Sequence, residues 1–330
     1  MSRKKVKEVI YLNFLSNEIS YIVIKKIHII MKYKFNNIGL SGYLDDQKVV
    51  DLLSIIEKDL KSNGLEIFLL GNYEVPKELN RINTLKKDKF LESVDLIVAI
   101  GGDGTLLSAA RDAAKKNIPL IGVNLGRLGF LNDISPNKSV TTILDILKGN
   151  FISEERIMLN SEITFFNEKK ISMLALNEVS IKAGGAGYIQ DFITYIDGEY
   201  VNTHEGDGLI IATPTGSTAY ALSCGGPIIQ PNLDAFVIVP VCPHTLSDRP
   251  LVIKSSSLIE IKVAPKPNNE THVACDGDLQ GSINTNDKLV INIAKEKVTL
   301  LHPNYHNYYE KLRSKLNWGY TNRVKKNNAK

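Results

Sequence analysis

From Val94 to Lys116 the sequence reads VDLIVAIGGDGTLLSAARDAAKK. An apolar run breaks at Gly101, Gly102, Asp103 and Gly104, so that one carboxylate stands among three glycines. Glycine lets a backbone come close to a ligand, and the helix expected from about Thr105 brings its positive N-terminal end to the same place, which together favour a phosphate. A carboxylate beside phosphates is repelled unless it has another task, such as holding a cation or accepting a proton from an attacking hydroxyl. The plainer alternative is a tight turn capped by Asp103. No phosphate loop with its lysine is present, and the dinucleotide fingerprint G-x-G-x-x-G fails because a leucine stands where its last glycine belongs.

Two further stretches carry polar chemistry. DGLIIATPTGSTAYALSCGGPI, from Asp207 to Ile228, sets Thr213, Thr215, Ser217 and Thr218 around Pro214 and Gly216. Hydroxyls and free amides suit a polar ligand, or simply build a turn rich in Ser and Thr, and Ser217 is expected to cap a short helix over TAYALS. In LNEVSI, Asn177 and Glu178 are neighbours inside an otherwise apolar strand. Successive strand residues face opposite sides, so at least one of the two must be buried with a partner or placed irregularly.

Other reactive side chains have duller readings. His302 and His306 share a metal-compatible spacing, but Pro303 and the lack of a carboxylate motif beside them favour a structural role. His244 is read as structural, and Arg127 either reaches a phosphate or pairs an acid. Cys224, Cys242 and Cys275 are odd in number, far apart and without CxxC spacing, which argues against a disulfide framework or zinc knuckle and fits a reducing cytoplasm.

The elements that must position these residues follow from periodicity. NNIGLSG reads as a strand, DDQKVVDLLSIIEKDLKSNG as a helix closed by Gly64, LEIFLLG and VDLIVAI as strands, TLLSAARDAAKK as a helix and IPLIGVN as a strand. Apolar runs without alternation imply strands covered on both faces, hence a doubly wound parallel sheet, whose ligands sit at the carboxyl ends of its strands. After about Asn132 the pattern changes to one helix, SVTTILDILKGN, and many short strands. Asp197-Gly198 marks a hairpin among them, as expected of a mostly antiparallel β domain. The expected organisation is an extension over 1–30, an α/β domain over 31–132, a β-rich domain over 133–300, and over 301–330 a helix packed back on the α/β domain with a basic tail.

Composition narrows the function further. With 40 Lys+Arg against 36 Asp+Glu, the net charge of +4 is too small and too evenly spread to suggest nucleic acid. The greasy start, VIYLNFLSNEISYIVIKKIHII, is broken by Asn13, Asn17, Glu18, Lys25 and Lys26, leaving no run of about 18 apolar residues to span a bilayer. The globular part is expected to begin near Met31.

GGDGTLL, GVNLGRLGFL, LNEVSI, DGLIIATPTGSTAYALSCGGPI, VPVCPHTLSDRPLVI and LLHP together resemble the bacterial NAD kinase family, over nearly everything from Met31 to about Trp318. The Gly-Gly-Asp-Gly turn alone would be shared with lipid kinases and phosphofructokinases, whereas its combination with Asn-Glu and TPTGSTAY is specific. The resemblance implies a cytoplasmic homo-oligomer, dimer or tetramer, that makes NADP from NAD with a nucleoside triphosphate and a divalent metal, usually Mg. It casts Asp103 as the carboxylate that accepts the ribose 2′-hydroxyl proton, and Gly104 as its adjoining backbone contact. Asn177 and Glu178 fall on the adenosine-binding pair, Thr218, Ala219, Tyr220, Ala221, Leu222 and Ser223 on the adenine and ribose pocket, and Asp207 on an acidic contact toward the nicotinamide end. Tyr188, Glu205 and Asp278 occupy further NAD-contacting positions where relatives differ, Tyr188 and Glu205 replacing histidine or a basic residue. A lipid kinase sharing the turn and a non-catalytic dinucleotide sensor are the rival functions.

Overall fold

The computed structural model describes residues 33–71, 75–126, 129–185, 189–266 and 270–317. The expectations for residues 1–30, Arg127, Tyr188 and the basic termini lie outside these residues.

β1 (Asn37–Gly42) leads through α1 (Gln47–Ser62) to β2 (Glu66–Leu70) and β3 (Asn83–Leu85). α2 (Lys87–Ser93), β4 (Leu96–Gly101), α3 (Asp103–Ala114) and β5 (Leu120–Asn124) follow. Asp46 caps α1 by accepting from the Lys48 N–H, and Gly64, at φ 81°, takes the chain out of the helix. The five strands pair in parallel in the order β3-β2-β1-β4-β5, so the winding direction reverses between β1 and β4. Side chains alternate across β4. Val98 and Ile100 pack with Leu40, Leu53 and Ile56 on the α1 side, while Ile97 and Ala99 pack with Phe90, Leu106 and Ala110 on the α2–α3 side. The Gly-Asp turn therefore leaves β4 at the carboxyl end of the strand beside the reversal, where open α/β sheets bind ligands.

α4 (Ser139–Leu147) connects to β6 (Phe151–Thr164), β7 (Lys170–Ala175), β8 (Glu178–Ala183), β9 (Gln190–Ile196), β10 (Glu199–Gly206) and β11 (Gly208–Ala212). The short α5 (Tyr220–Ser223) precedes β12 (Ala235–Val241), β13 (Leu251–Lys254), β14 (Ile259–Val263), β15 (Thr271–Cys275), β16 (Asp278–Ile283), β17 (Lys288–Pro303) and α6 (Tyr308–Leu316). The β9–β10 hairpin turns on Asp197 and Gly198, both at positive φ (52° and 85°), as the Asp-Gly pair demands.

A six-stranded antiparallel sheet, β13-β12-β11-β8-β15-β16, faces a larger sheet across an apolar layer. Val179, Ile181, Leu209 and Phe236 from the first meet Ile163, Phe192, Ile261 and Ile291 from the second. That larger sheet has eleven strands and joins both halves of the chain, because β17 pairs antiparallel with β14 and β6 and, at Leu300, parallel with β5. One strand thus contributes Leu289 and Ile291 to the sandwich core, and Val298, Leu300 and Leu301 to the two cores flanking the parallel strands. Among the described residues no helix is long and apolar enough to cross a membrane.

Candidate functional site

The helix after the Gly-Asp turn begins two residues earlier than its apolar spacing suggests: Gly102 is its N-cap and Asp103 its first residue. Gly101 takes φ +153° directly against Thr105, a conformation that L side chains rarely adopt, whereas a β-carbon added at Gly102 or Gly104 would meet nothing within 4 Å. Backbone amides at the positive end of α3 therefore face open space. The half-buried Asp103 carboxylate accepts from the Phe130 N–H (Oδ2, 3.0 Å) and from Asn132 Nδ2 (Oδ1, 3.2 Å). These two bonds fix its direction and leave lone pairs for a ligand. Neither Phe130 nor Asn132 carries a sequence signal of its own, and both come from the segment after β5.

Of the pair, Glu178 lies in a strand and Asn177 does not. β7 ends at Ala175 and β8 begins at Glu178, so Leu176 and Asn177 form a bend, and both members of the pair are buried. Leu176 belongs to the same apolar cluster as Leu106, Leu107 and Ala110 of α3 and Leu131, which packs the bend against that helix. Thr213 holds the bend from one side, donating Oγ1 to the Leu176 carbonyl (2.5 Å) and its N–H to the Asn177 carbonyl (2.9 Å). Gly216 must be glycine because a β-carbon there would overlap the Asn177 carbonyl. Glu178 Oε2 is buried without a hydrogen-bond partner. Burial, helped by the negative charge of Asp276 and opposed by Lys182, pushes the Glu178 carboxyl up to about 7.

Ser217 is not a helix cap. It sits in the 3-10 turn Gly216–Thr218 and donates to the Pro214 carbonyl (2.6 Å) while accepting from the Ile229 N–H (2.9 Å), and α5 starts from Ala219 with no side-chain cap. Hydroxyls placed to serve a ligand by sequence thus partly serve the turn itself. Thr218, Ala219, Tyr220 and Leu222 are half-buried, Ser223 is exposed, and Ala221 is fully buried in the core under β11 and β12. Lys182 Nζ lies 4.3 Å from the centre of the Tyr220 ring, joining the β8 row that begins at Glu178 to the aromatic face of α5.

Asp207 and Glu205 are exposed; the Asp207 carboxylate lies beside Cys242, and the Glu205 carbonyl accepts from the His244 N–H (2.9 Å). Asp278 is exposed but committed to an ion pair with Arg111. The α3 helix that begins with Asp103 and the bend before Glu178 share one apolar cluster through Leu106 and Leu176, and Thr213 ties that bend to the Thr213–Ser223 segment, whereas Asp207 and Glu205 lie on the surface of β10 and its exit.

His302 and His306 do have a carboxylate beside them, from Asp133, 169 positions before His302. Both Nδ1 atoms bond Asp133 Oδ2, at 2.8 Å for His306, and these three side chains form the one candidate metal-holding group among the described residues. Two observations favour an ion network instead. Both Nδ1 atoms are already engaged by the one Asp133 oxygen, with the imidazoles stacked at centroids 4.1 Å apart and planes at 26°, and the Lys311 ammonium already pairs with Asp133 Oδ1. Burial alone would raise the Asp133 pKa, but the two histidines and Lys311 outweigh it and hold it well below the usual carboxylate range. The His302 hydrogen bond and Arg156 hold Glu154 at about 2 against its own burial. Lys311 also donates to the Phe130 carbonyl (3.1 Å), and Lys315 Nζ lies 5.0 Å from the Phe130 ring centre. Two lysines of α6 thus back the residue whose amide holds Asp103, and burial lowers the pKa of both while Asp103 raises it.

Comparisons with known proteins place the chain in a family. Residues 54–151 match the ATP-NAD kinase N-terminal domain and residues 176–302 the ATP-NAD kinase C-terminal domain. The chain is 41% identical over 286 residues to an NAD kinase of Pseudomonas entomophila, covering 87% of this chain and 97% of that one. It is 40% identical over 291 residues to an NAD kinase of Chromohalobacter salexigens, covering 86% and 97%. Its fold is similar to that of yeast NADH kinase solved with NADH (TM-score 0.78, 22% identity, 87% and 88% covered). A similar fold is seen in an NAD kinase from Archaeoglobus fulgidus solved with ATP (TM-score 0.67, 25% identity, 85% and 98% covered). With both characteristic domains in order and two-fifths identity over almost the full length of its relatives, the chain belongs to the NAD kinase family.

Proposed function

We propose that the protein transfers the terminal phosphoryl group of ATP to the 2′-hydroxyl of the adenosine ribose of NAD. The observation that carries this reading is the setting of Asp103: first residue of a helix, flanked by glycines open to a ligand, fixed by Phe130 and Asn132, and on the helix against which Leu176 of the Asn-Glu bend packs. Asn177 and Glu178 bind the ribose, and the segment Thr218–Ser223 holds the adenine with Tyr220 as its aromatic face. Gly104 offers backbone to the substrate, Asp207 and Glu205 serve the nicotinamide half, and Tyr188 and Asp278 are further candidate contacts to NAD.

In the reaction the ribose oxygen bonds to the terminal phosphorus as the bond from that phosphorus to the bridging oxygen breaks, ADP leaves, and the hydroxyl proton passes to Asp103. A carboxylate is a weak base for a sugar hydroxyl, but in a loose phosphoryl-transfer transition state the proton leaves late, so orientation matters more than basicity. A Mg ion fits the donor set, because it keeps most of its waters and needs only one or two carboxylates besides phosphate oxygens, and Asp103 has oxygen lone pairs to spare. When bound, the metal offsets charge building on the phosphate oxygens. The enzyme is proposed to work in the cytoplasm as a homo-oligomer, with neither membrane nor nucleic acid as a partner.

The test is turnover of purified protein with NAD or NADH against ATP or polyphosphate, scored for NADP or NADPH. NAD-dependent release of ADP supports the reading. ATP consumption with a lipid alcohol but not with NAD, or tight NAD binding with no turnover under any donor, would replace it with the lipid kinase or the sensor.

A further inference from the structure

Three successive backbone N–H groups of the Asn-Glu bend converge on one side chain. Asp276 Oδ2 accepts from Leu176 (2.9 Å), and Oδ1 accepts from Asn177 (2.7 Å) and Glu178 (3.2 Å). The Asp276 side chain has no exposed surface. It is delivered by the Asp276-Gly277 turn between β15 and β16, where both residues take positive φ (50° and 88°), and the Asp276 N–H returns to the Glu178 carbonyl (3.0 Å). With Thr213 taking the bend's carbonyls from the other side, the segment is held by its backbone and its side chains are left for other uses.

A buried carboxylate needs a countercharge, and α3 supplies it. Arg111 Nη1 stands 3.7 Å from Asp276 Oδ2 and donates to the Cys275 carbonyl (3.1 Å), while Nη2 pairs with Asp278. Arg111 is eight residues beyond Asp103 on α3, so about two helical turns of rigid backbone separate the guanidinium from the catalytic carboxylate.

We propose that Asp276 and Arg111 are positioning residues for the phosphoryl transfer, Asp276 shaping the bend that presents Asn177 and Glu178 and Arg111 tying that bend to the helix that begins with Asp103. The inference rests on the kinase reading given above. Its physical content is one fixed spacing: the groups that hold the acceptor sugar and the group that takes its proton are set by a single strut of side chain and helix. Misplacing reacting groups by about 1 Å is enough to cost roughly a hundredfold in rate, so such a strut bears directly on turnover. A second signature follows from charge. Glu178 faces Asp276 and Lys182, and Asp276 in turn faces Arg111, so neutralising Asp276 removes the negative neighbour that helps keep Glu178 protonated.

The experiment measures kinetics with NAD and ATP varied separately across neutral pH, together with melting temperature, for wild type, Asp276→Asn and Arg111→Met. For Asp276→Asn, KM for NAD should rise about tenfold while KM for ATP stays nearly unchanged, the size expected for a lost charge-assisted hydrogen bond. The acidic limb of kcat/KM for NAD should also move to lower pH. For Arg111→Met, kcat should fall about tenfold, roughly the rate lost to a fraction of an ångström of misplacement. Millimolar guanidinium should restore it, whereas sodium chloride at equal concentration should not. Arg111 lines an open groove of about 460 Å³ with Lys87, Lys115 and Ser172, through which the guanidinium ion can enter. If Asp276→Asn does not fold, the guanidinium response of Arg111→Met decides alone. Wild-type constants in both variants, or losses that fall equally on every constant in step with melting temperature and without rescue, overturn the inference. A wild type that never phosphorylates NAD overturns the kinase reading and this inference with it.

Discussion

Asp103 lies directly against Gly129. A β-carbon on that glycine would come within 2.6 Å of Asp103 Oδ2 and closer still to Oδ1 and Cγ, so the carboxylate occupies the space that any other residue at 129 would fill. Gly129 has no side chain to offer a substrate, yet it decides where the Asp103 carboxylate stands.

Gly129→Ala should therefore behave as a catalytic lesion. Turnover is expected to fall about a hundredfold, the cost of moving a reacting group by about 1 Å, with the melting temperature little changed. Calorimetric titration with NAD beside steady-state rates checks this, and undiminished turnover would show that Asp103 has room to spare.

Asp103→Asn keeps the shape and removes the proton acceptor. NAD binding should survive within a few-fold while kcat drops by about 10² to 10⁴, the usual range for general-base assistance. A variant with wild-type kcat would refute the role of Asp103.

Glu178→Gln should trade stability for binding. The folded protein holds this carboxyl at about 7, above its ordinary 4.5, so the unfolded chain releases the proton first as pH rises. Folding is thus increasingly opposed from about pH 4.5 until the folded group ionises near 7, and the penalty stays constant above that. Glutamine cannot ionise, so the variant should melt higher than wild type at alkaline pH, with little difference at acid pH, and bind NAD more weakly. Thermal melts at both extremes, with NAD titrations, measure the trade.

The cluster of Asp133, Glu154, His302 and Lys311 should give stability two edges. Glu154, lowered to about 2, contributes above its unfolded 4.5 and loses that contribution as pH falls toward 2, and Asp133 acts in the same sense. His302 is raised above its ordinary 6.5 by Asp133 and Glu154 despite its burial, so its contribution is complete below 6.5 and lost as pH rises through the folded value. Melting temperature should be highest between these edges, and Glu154→Gln should flatten the acidic one. An unchanged acidic edge in that variant would remove Glu154 from the account.

The sequence made the parallel half legible because its periods are strong. The helix of Val49, Leu53, Ile56 and Leu60 and the unalternating β4 leave few other arrangements, and Gly101 to Gly104 announce the turn. The break at Leu176 and Asn177 is hidden because Ala175, Leu176 and Val179 are apolar, and apolar runs do not reveal where one ladder stops and the next begins at Glu178. Ser217 was misread because a hydroxyl that caps a helix and one that braces a turn look alike until partners are known. Asp276, Arg111, Asn132 and Gly129 act across distances of about 30 to 165 residues in the chain, and no local pattern marks such pairs. Asp133 beside His302 is the same case: the carboxylate missing from the local motif arrives from another element.

The sixteen residues of β17 run from the sandwich to the parallel strands, laddered to β6 on either side of a bulge between Ile293 and Lys297 and meeting β5 at Leu300. Backbone hydrogen bonds on both sides of that bulge hold the sandwich and the parallel strands to one shared ribbon. A swing of one half against the other would bend this ribbon at residues 294–296, where the register slips, rather than along its paired length.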